Sequence, residues 1–174
     1  MKRVFYPVVL LLLGFGLTAC GSESGPSPSG ASTERFTASL LPASEVPPIT
    51  NSEASGSATA TVTFNVTKDS SGYASAATMD VSVTATGFPN GTALTSAHIH
   101  PGGAGTNGGV FVSLGLNAGE VTFASGSGSF TRTGIPLNAE QVNAILGSPS
   151  NYYLNIHTAL NPNGVARGQL TRAQ

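Results

Sequence analysis

The chain is poor in cysteine, with only Cys20 among its 174 residues. A single thiol cannot form a disulfide within the chain, nor can it supply a metal site built from several cysteines. A domain without covalent cross-links must be stabilised by burial of its core. The roughly 140 residues beyond residue 33 suffice for one core, because a chain of that length buries about two-thirds of its unfolded surface.

Charged residues are also scarce, at 9% of the sequence. Without Lys2 and Arg3, which lie at the start of a predicted signal peptide, five basic side chains remain against eight acidic ones. The sequence contains no cluster of lysine and arginine that could neutralise a run of phosphates. These features exclude nucleic acid as a partner.

Long apolar runs are lacking too, apart from one near the N-terminus. Residues 4–17 are mostly apolar, follow Lys2 and Arg3, and lead through small residues to Cys20. This order of basic, apolar and small residues is typical of a lipoprotein signal peptide. The alternative, a transmembrane helix, is disfavoured because the run is shorter than about 20 residues and contains Pro7 and two glycines.

The signal peptide sets the expected domain organisation and location. We expect residues 1–19 to be the signal peptide, Cys20 to be the lipidation site, residues 20–33 to be a Ser/Gly/Pro tether, and residues 34–174 to be the folded domain. The protein is then exported and lipid-anchored to the bacterial cell envelope, at the outer membrane or the periplasmic face in a Gram-negative organism. Its expected partners are the membrane, through this lipid, and an envelope or extracellular molecule.

Alternation of apolar and polar residues dominates the sequence beyond the tether. Val62, Phe64 and Val66 alternate with threonine and asparagine, a period of two that indicates a strand with one buried face. Similar patterns predict several more strands, separated by turns rich in glycine, proline and asparagine. These further strands are Phe36–Leu41, Met79–Ala85, Ala93–His100, Val110–Leu116, Val121–Thr131, Tyr152–Thr158 and Val165–Thr171.

One segment has the pattern of a helix. Residues 138–147 begin with Asn138 as a potential N-cap and Gln141 three residues later, the signature of a capping box. The fold class predicted from all segments is therefore all-β. We expect an antiparallel β-sandwich or Greek-key barrel of about seven to nine strands with one short helix near 138–147.

The three histidines of the chain fall in two of the predicted strands. His98 and His100 flank Ile99, and His157 follows Ile156. If the two isoleucines face the core, the imidazoles lie on the opposite faces of their strands. They converge if the two strands are neighbours or meet at a rim.

Two interpretations of these histidines stay open. In one, they form hydrogen bonds within a polar cluster and bind nothing. In the other, they bind a metal ion, because imidazole is the commonest protein ligand for zinc and copper and a His-x-His pair places two nitrogens on one side of a strand. Three histidines with an open fourth position would resemble a catalytic or redox metal site.

Four segments of the sequence carry a family resemblance: residues 36–48, 97–108, 153–158 and 164–170. They include the runs Leu-Pro-Ala-Ser-Glu-Val-Pro-Pro, Ala-His-Ile-His-Pro-Gly-Gly-Ala-Gly-Thr-Asn-Gly, Leu-Asn-Ile-His-Thr and Arg-Gly-Gln-Leu. In content and order they closely resemble the CHRD (chordin-type) domain family. That family occurs in animal extracellular signalling antagonists and bacterial secreted proteins, so the resemblance implies an extracytoplasmic domain and no particular enzymatic activity.

The shared segments contain further polar residues besides the histidines. Glu45, Asn155 and Arg167 lie within them, and a buried carboxylate or guanidinium is costly unless it is paired. We expect these residues and the histidines to form one polar cluster, with Glu45 and Arg167 as an ion pair. The chain departs from the family at Val165-Ala166, where an acidic and an aliphatic residue usually precede Arg-Gly.

A second, shorter resemblance concerns the metal. His98-Ile99-His100, followed by a glycine-rich loop, is similar to the copper-binding strand of copper/zinc superoxide dismutases. Those enzymes use more histidines than this chain has, which excludes their dinuclear site and leaves a mononuclear site open. Copper is therefore the favoured metal, and zinc is second.

Two functions are compatible with the sequence. The first is a non-enzymatic CHRD domain that acts as an extracytoplasmic binding module on a lipid anchor. The second is a mononuclear copper protein, open to redox activity, with His98, His100 and His157 as ligands. No catalytic residue is predicted, because the chain has no Gly-x-Ser-x-Gly elbow, no His-Glu-x-x-His motif and no close carboxylate pair.

Overall fold

The computed structural model describes Met1 and residues 30–174. Cys20 and the predicted signal peptide beyond Met1 lie outside the described residues. The described part forms ten strands, one α-helix and four short 3-10 turns. The strands are β1 (Gly30–Leu40), β2 (Ser57–Lys68), β3 (Ala74–Thr86), β4 (Thr92–Pro101), β5 (Val112–Ser113), β6 (Thr122–Phe123), β7 (Gly128–Asn138), β8 (Tyr152–Thr158), β9 (Ala166–Gln169) and β10 (Thr171–Arg172); the helix is α1 (Ala139–Gly147).

The strands form two antiparallel sheets. The first has the order β10-β1-β2-β3-β7, and the second has the order β5-β4-β8-β9, with β6 paired to the start of β4. Residues 30–33, at the end of the predicted tether, pair with β2 as the first part of β1. The predicted all-β fold of antiparallel sheets with one short helix is confirmed, and three of its strands, β5, β6 and β10, are only two residues long.

The alternating pattern of β2 shows why the chain adopts this fold. Val62, Phe64 and Val66 are at most 1% exposed, whereas Asn65 between them is exposed. The ring of Phe64 lies 5.3 Å from that of Phe36 in β1, inside a core shared by both sheets. Full burial of a side chain of this size contributes roughly 1.5–3 kcal/mol. Burial of such side chains is the source of stability open to a chain with a single cysteine.

The helix begins where the sequence predicts. The side chain of Asn138 accepts a hydrogen bond from the backbone N–H of Gln141 (2.8 Å), and the Gln141 side chain accepts one from the N–H of Asn138 (3.1 Å). This capping box satisfies two N–H groups that have no partner inside the helix. Val142 and Ile145 are fully buried, so the helix packs its apolar face on the core. Among the described residues, no helix is long and apolar enough to cross a membrane.

The structure departs from the predicted strands in the middle of the chain. The predicted strand 121–131 is interrupted by a turn in which Ser125 and Gly126 have φ angles of 52° and 76°. A β-carbon at Gly126 would lie 2.1 Å from the carbonyl oxygen of Phe88, so this close approach requires glycine. Only β5 forms within the predicted strand 110–116. Local turn geometry therefore overrides the alternating pattern here.

The second sheet carries polar residues on the face that points away from the core. Ile99, Leu154 and Ile156 point inward and have no exposed surface. Because side chains alternate along a strand, the histidines of β4 and β8 lie on the opposite face, as the sequence predicts. The loops after β1, β4 and β8 cover this face, so His100 and His157 are buried although they lie outside the core.

Candidate metal centre

The three histidines lie together on the second sheet. β4 carries His98 and His100, and its neighbour β8 carries His157. In the antiparallel register Ser96 pairs with His157 and His98 pairs with Asn155, so His157 is diagonal to His98. One ring nitrogen from each histidine lies within 4.8 Å of the other two. The pairing of β4 with β8 thus brings together the imidazoles that the sequence places on two separate strands.

Backbone carbonyls fix the tautomers of two of these histidines. Nδ1 of His100 lies 3.0 Å from the carbonyl oxygen of Gly108, and Nδ1 of His157 lies 3.0 Å from that of Pro162. A carbonyl oxygen can only accept, so each Nδ1 donates and the lone pair of each ring is on Nε2. The Nε2 atom of His100 is buried and has no hydrogen-bond partner among the described residues. Outer hydrogen bonds of this kind commonly orient histidines that bind metal ions.

Two of the rings are held in their neutral form. Burial, followed by the proximity of His157 and His100, lowers the pKa of His98 from 6.5 to about 4. Burial also lowers the pKa of His157, against an opposite effect of its hydrogen bond to Pro162. Because imidazole binds a metal ion only when it is neutral, His98 and His157 are competent ligands at neutral pH.

The cluster is compact enough to surround one ion. Three atoms that lie within 4.8 Å of one another have a common point no farther than about 2.8 Å (4.8/√3) from each. Zinc–nitrogen bonds are about 2.0–2.1 Å long, so each ring needs to move by less than about 1 Å to reach bonding distance. Movements of that size are within the reach of side-chain torsions. The three imidazoles can therefore hold a single metal ion.

Tyr153 orients one of the histidines and was not singled out by the sequence. Its ring stacks on the imidazole of His100, with 5.1 Å between centroids and 9° between planes. Its hydroxyl accepts a hydrogen bond from the backbone N–H of Gly108 (3.2 Å), the residue whose carbonyl holds His100. Arg167 places its guanidinium carbon 4.6 Å from the centre of the Tyr153 ring. Tyr153 lies opposite His100 in the pairing of β4 with β8. Knowledge of that register would have identified Tyr153 as a neighbour of the site.

The polar cluster predicted beside the histidines is centred on Arg167, which is 2% exposed. Its Nε donates to the carbonyl oxygen of Ser44 (2.6 Å), and its Nη1 donates to the carbonyl oxygen of Thr106 (3.1 Å) and to Oδ1 of Asn107 (3.0 Å). The carboxylate of Glu45 is farther away, with Oε2 at 3.7 Å from Nε. Arg167 thus ties two loops together chiefly through neutral acceptors, and its ion pair with Glu45 is long.

Glu45 is buried in a site that stabilises its charge only partly. Burial raises the pKa of Glu45 to about 7, although Arg167 and a hydrogen bond from Asn155 act in the opposite direction. That hydrogen bond is imperfect, because Oε1 of Glu45 has no partner at good hydrogen-bond geometry among the described residues. A β-carbon at Gly164 would lie 2.6 Å from this Oε1 and 2.7 Å from Nδ2 of Asn155. Glu45 and Asn155 therefore pack closely together against a position that must be glycine.

A cavity of about 590 Å³ opens onto the histidines. Its walls include Val46 and Pro47 on one side, residues 107–110 on another, and Asn163. The glycine-rich loop lies close over the site, because the carbonyl oxygen of Gly108 is 3.0 Å from Nδ1 of His100. A β-carbon at Gly108 would clash with the backbone carbonyl of Pro101, so this position requires glycine. A small molecule or ion can therefore reach the histidine face from this cavity.

A second buried polar cluster was missed by the sequence analysis. Glu53 accepts hydrogen bonds from the hydroxyl of Thr158 (2.7 Å) and from the amide of Asn161. Asn51 donates to Oδ1 of Asn161 (2.9 Å). Asn161 lies between the predicted strands Tyr152–Thr158 and Val165–Thr171, where the sequence predicts a turn but gives no signal for its buried partners. This cluster holds the turn whose Pro162 carbonyl accepts from His157.

Comparison with known protein families is consistent with this arrangement. The family model for the CHRD domain matches residues 36–170, which is more than half of the chain. Neither the curated proteins nor the solved structures contain a significant match. The matched range includes the three histidines and the polar cluster around Arg167.

Proposed function

The chain belongs to the CHRD domain family, and we propose that its domain is an extracytoplasmic binding module whose ligand is a single transition-metal ion. The ligands are His98, His100 and His157. One observation carries the proposal: three imidazoles converge within 4.8 Å, and two of them donate from Nδ1 to backbone carbonyls, which leaves their lone pairs on Nε2. This is the donor set of a mononuclear site.

The type of donor points to the metal. Three imidazoles without a carboxylate or thiolate in the described cluster suit borderline ions such as Cu²⁺ and Zn²⁺. Mg²⁺ and Ca²⁺ prefer ligand sets made of oxygen, whereas the three histidines supply nitrogen. Cu²⁺ binds nitrogen ligands more tightly than Zn²⁺ in the general affinity series, so copper is the preferred occupant and zinc is the competitor.

The test is metal titration of the full chain after treatment with a chelator. We expect one Cu²⁺ or one Zn²⁺ per chain by isothermal titration calorimetry and elemental analysis. A variant with both His98→Ala and His157→Ala should lose at least about a hundredfold in affinity, because two of three ligands are removed. Circular dichroism of both proteins checks that the variant keeps its strand content.

The matched control for this test is Asn163→Ala. Asn163 lines the same cavity and is exposed, but it is not one of the ligands. The Asn163→Ala variant should bind metal with the same affinity as the unmodified chain. Equal metal content in the unmodified chain and in the double histidine variant would overturn the proposal.

We also propose that the module works outside the cytoplasm on a lipid anchor at Cys20, near the envelope or extracellular partner that it serves. The support is the sequence around Cys20, with basic, apolar and small residues in signal-peptide order. The full chain expressed in a bacterium should partition into the detergent phase of a cell extract, and Cys20→Ser should move it to the aqueous phase. Identical partitioning of the two proteins would argue against the anchor.

A further inference from the structure

Asn155 is a buried polar side chain beside the histidines. It lies in β8 directly opposite His98 in β4 and is 1% exposed. Its Oδ1 atom is 2.9 Å from Nε2 of His157. The same Nε2 atom lies 3.0 Å from Nδ1 of His98. Asn155 therefore presents an oxygen to the point at which the imidazoles converge.

The contact between Asn155 and His157 joins two hydrogen-bond acceptors. Nδ1 of His157 donates to the carbonyl of Pro162, so its Nε2 carries a lone pair. An amide oxygen facing this lone pair at 2.9 Å in a buried site is repelled by it. Nδ1 of His98 can donate to Nε2 of His157, but that hydrogen bond leaves Oδ1 of Asn155 without a donor among the described residues. A cation that binds both atoms satisfies the nitrogen and the oxygen together.

The position of Glu45 sets the direction of the Asn155 amide. A β-carbon at Gly164 would lie 2.6 Å from Oε1 of Glu45 and 2.7 Å from Nδ2 of Asn155, so the amide nitrogen lies beside the carboxyl group. Oδ1 of Asn155 is thereby left facing the histidines. A cation at this point would bind the oxygen without any rearrangement of Asn155.

We propose that Oδ1 of Asn155 is the fourth ligand of the metal ion held by His98, His100 and His157. This inference rests on the metal site proposed above and deepens it. A site of three nitrogens and one amide oxygen is closed by protein ligands, which is typical of sites that hold an ion and not of sites that activate a water molecule. Glu45 acts in it as a positioning residue that fixes the direction of the amide.

The fourth ligand also determines which oxidation state of copper is bound. An amide oxygen is a hard ligand that suits divalent ions, whereas Cu⁺ prefers soft sulfur ligands and gains little from oxygen. The site should therefore discriminate in favour of Cu²⁺ and Zn²⁺ over Cu⁺. A role of Asn155 that is only structural would affect the three ions equally.

The experiment compares the full chain with Asn155→Leu, which has a similar volume but no oxygen. Affinities for Zn²⁺ and for Cu⁺, the latter kept reduced with ascorbate, are measured by competition with chromophoric chelators. We expect Asn155→Leu to lower the Zn²⁺ affinity at least about tenfold and to leave the Cu⁺ affinity within about threefold. Asn155→Asp, which restores an oxygen, should bind Zn²⁺ more tightly than Asn155→Leu.

The matched control is Asn143→Leu, a partly buried amide of α1 that donates to the carbonyl oxygen of Ala74 and does not line the histidine cavity. If the unmodified chain binds neither Zn²⁺ nor Cu²⁺, both the metal site and the fourth ligand are overturned. If it binds them and Asn155→Leu keeps the same ratio of Zn²⁺ to Cu⁺ affinity, the fourth ligand is wrong and the three-histidine site stands. Should Asn155→Leu fail to fold, Asn155→Asp is compared with the Asn143→Leu control. A new carboxylate at a ligand position must strengthen binding, so equal Zn²⁺ affinity of these two variants would overturn the role of the amide oxygen.

Discussion

The ring of Tyr153 lies nearly parallel to the imidazole of His100, with 5.1 Å between their centroids. The two residues are paired across β8 and β4, so the backbone register enforces the stack. Tyr153 also accepts a hydrogen bond from Gly108, whose carbonyl fixes the tautomer of His100. The orientation of one proposed ligand is thus set by a residue that does not itself bind the metal.

The first prediction tests whether the Tyr153 ring supports His100. Tyr153→Leu should lower Zn²⁺ affinity about tenfold or more, because residues that orient a ligand typically contribute 10- to 100-fold to metal binding. Tyr153→Phe keeps the ring and should stay within a few-fold of the unmodified chain. Tyr152→Leu is the control, since this neighbouring tyrosine packs on the core side. Calorimetric titration that gives Tyr153→Leu and Tyr152→Leu the same affinity would contradict the role of the stack.

The second prediction concerns crowding at Gly164. This residue has a φ angle of 131°, and a β-carbon there would approach both Glu45 and Asn155 to less than 3 Å. Gly164→Ala should therefore cost about 1–3 kcal/mol of unfolding free energy and weaken metal binding as well. Gly134→Ala is the control, because Gly134 also has a positive φ (69°) but open space around it. Denaturation in urea would refute this argument if the two variants lost the same stability.

The sequence predicts most reliably what depends on neighbouring residues. The alternation around Phe64 and the reciprocal cap between Asn138 and Gln141 are local patterns, and the structure contains both. The strand predicted over residues 121–131 is wrong because a left-handed turn at Ser125 is stabilised by contacts that the alternation does not report.

The histidine site is predictable only in part, for the same reason. Strand parity places His98 and Asn155 on the outer face of their strands, but the direction of the Asn155 amide depends on Glu45, which comes from a distant loop. Similarly, the tautomer of His157 depends on the carbonyl of Pro162 in a turn held by Glu53. Such long-range contacts follow from strand order and loop packing, which the residue pattern alone does not specify.

The third prediction tests whether the fold can lose stability without a change in metal affinity. Asn138→Ala removes the side chain that accepts from Gln141 at the start of α1. Loss of an N-cap typically costs about 1 kcal/mol, so the urea midpoint should fall while metal affinity is unchanged. The control is Ser148→Ala at the other end of the helix, whose exposed side chain makes no capping hydrogen bond. A change in metal affinity of Asn138→Ala would show that the helix and the site are coupled.

The last prediction uses the raised pKa of Glu45. In the folded chain this pKa is about 7, against an ordinary value of 4.5, and burial is the main cause. Between these two pH values the folded state holds a proton that the unfolded state has lost, so the contribution of Glu45 to stability decreases as pH rises from about 4.5 to 7. Glu45→Gln does not titrate, so we expect the unmodified chain to lose stability relative to this variant across that window, measured in chelator.

The control is Glu120→Gln, for which the stability difference should change with pH in the opposite direction. The backbone hydrogen bond from Asn117, with help from Arg132, lowers the pKa of Glu120. The stability that Glu120 contributes is therefore present above its ordinary pKa and is lost as pH falls. The free energy of unfolding of the unmodified chain should rise relative to that of Glu120→Gln as pH rises. Urea denaturation from pH 3 to pH 8 measures both slopes, that of Glu120 at the acidic end of the range and that of Glu45 above it. If the stability difference for Glu45→Gln were constant, or changed in the same direction as that for Glu120→Gln, then Glu45 would not be the buried, weakly compensated carboxyl that holds Asn155.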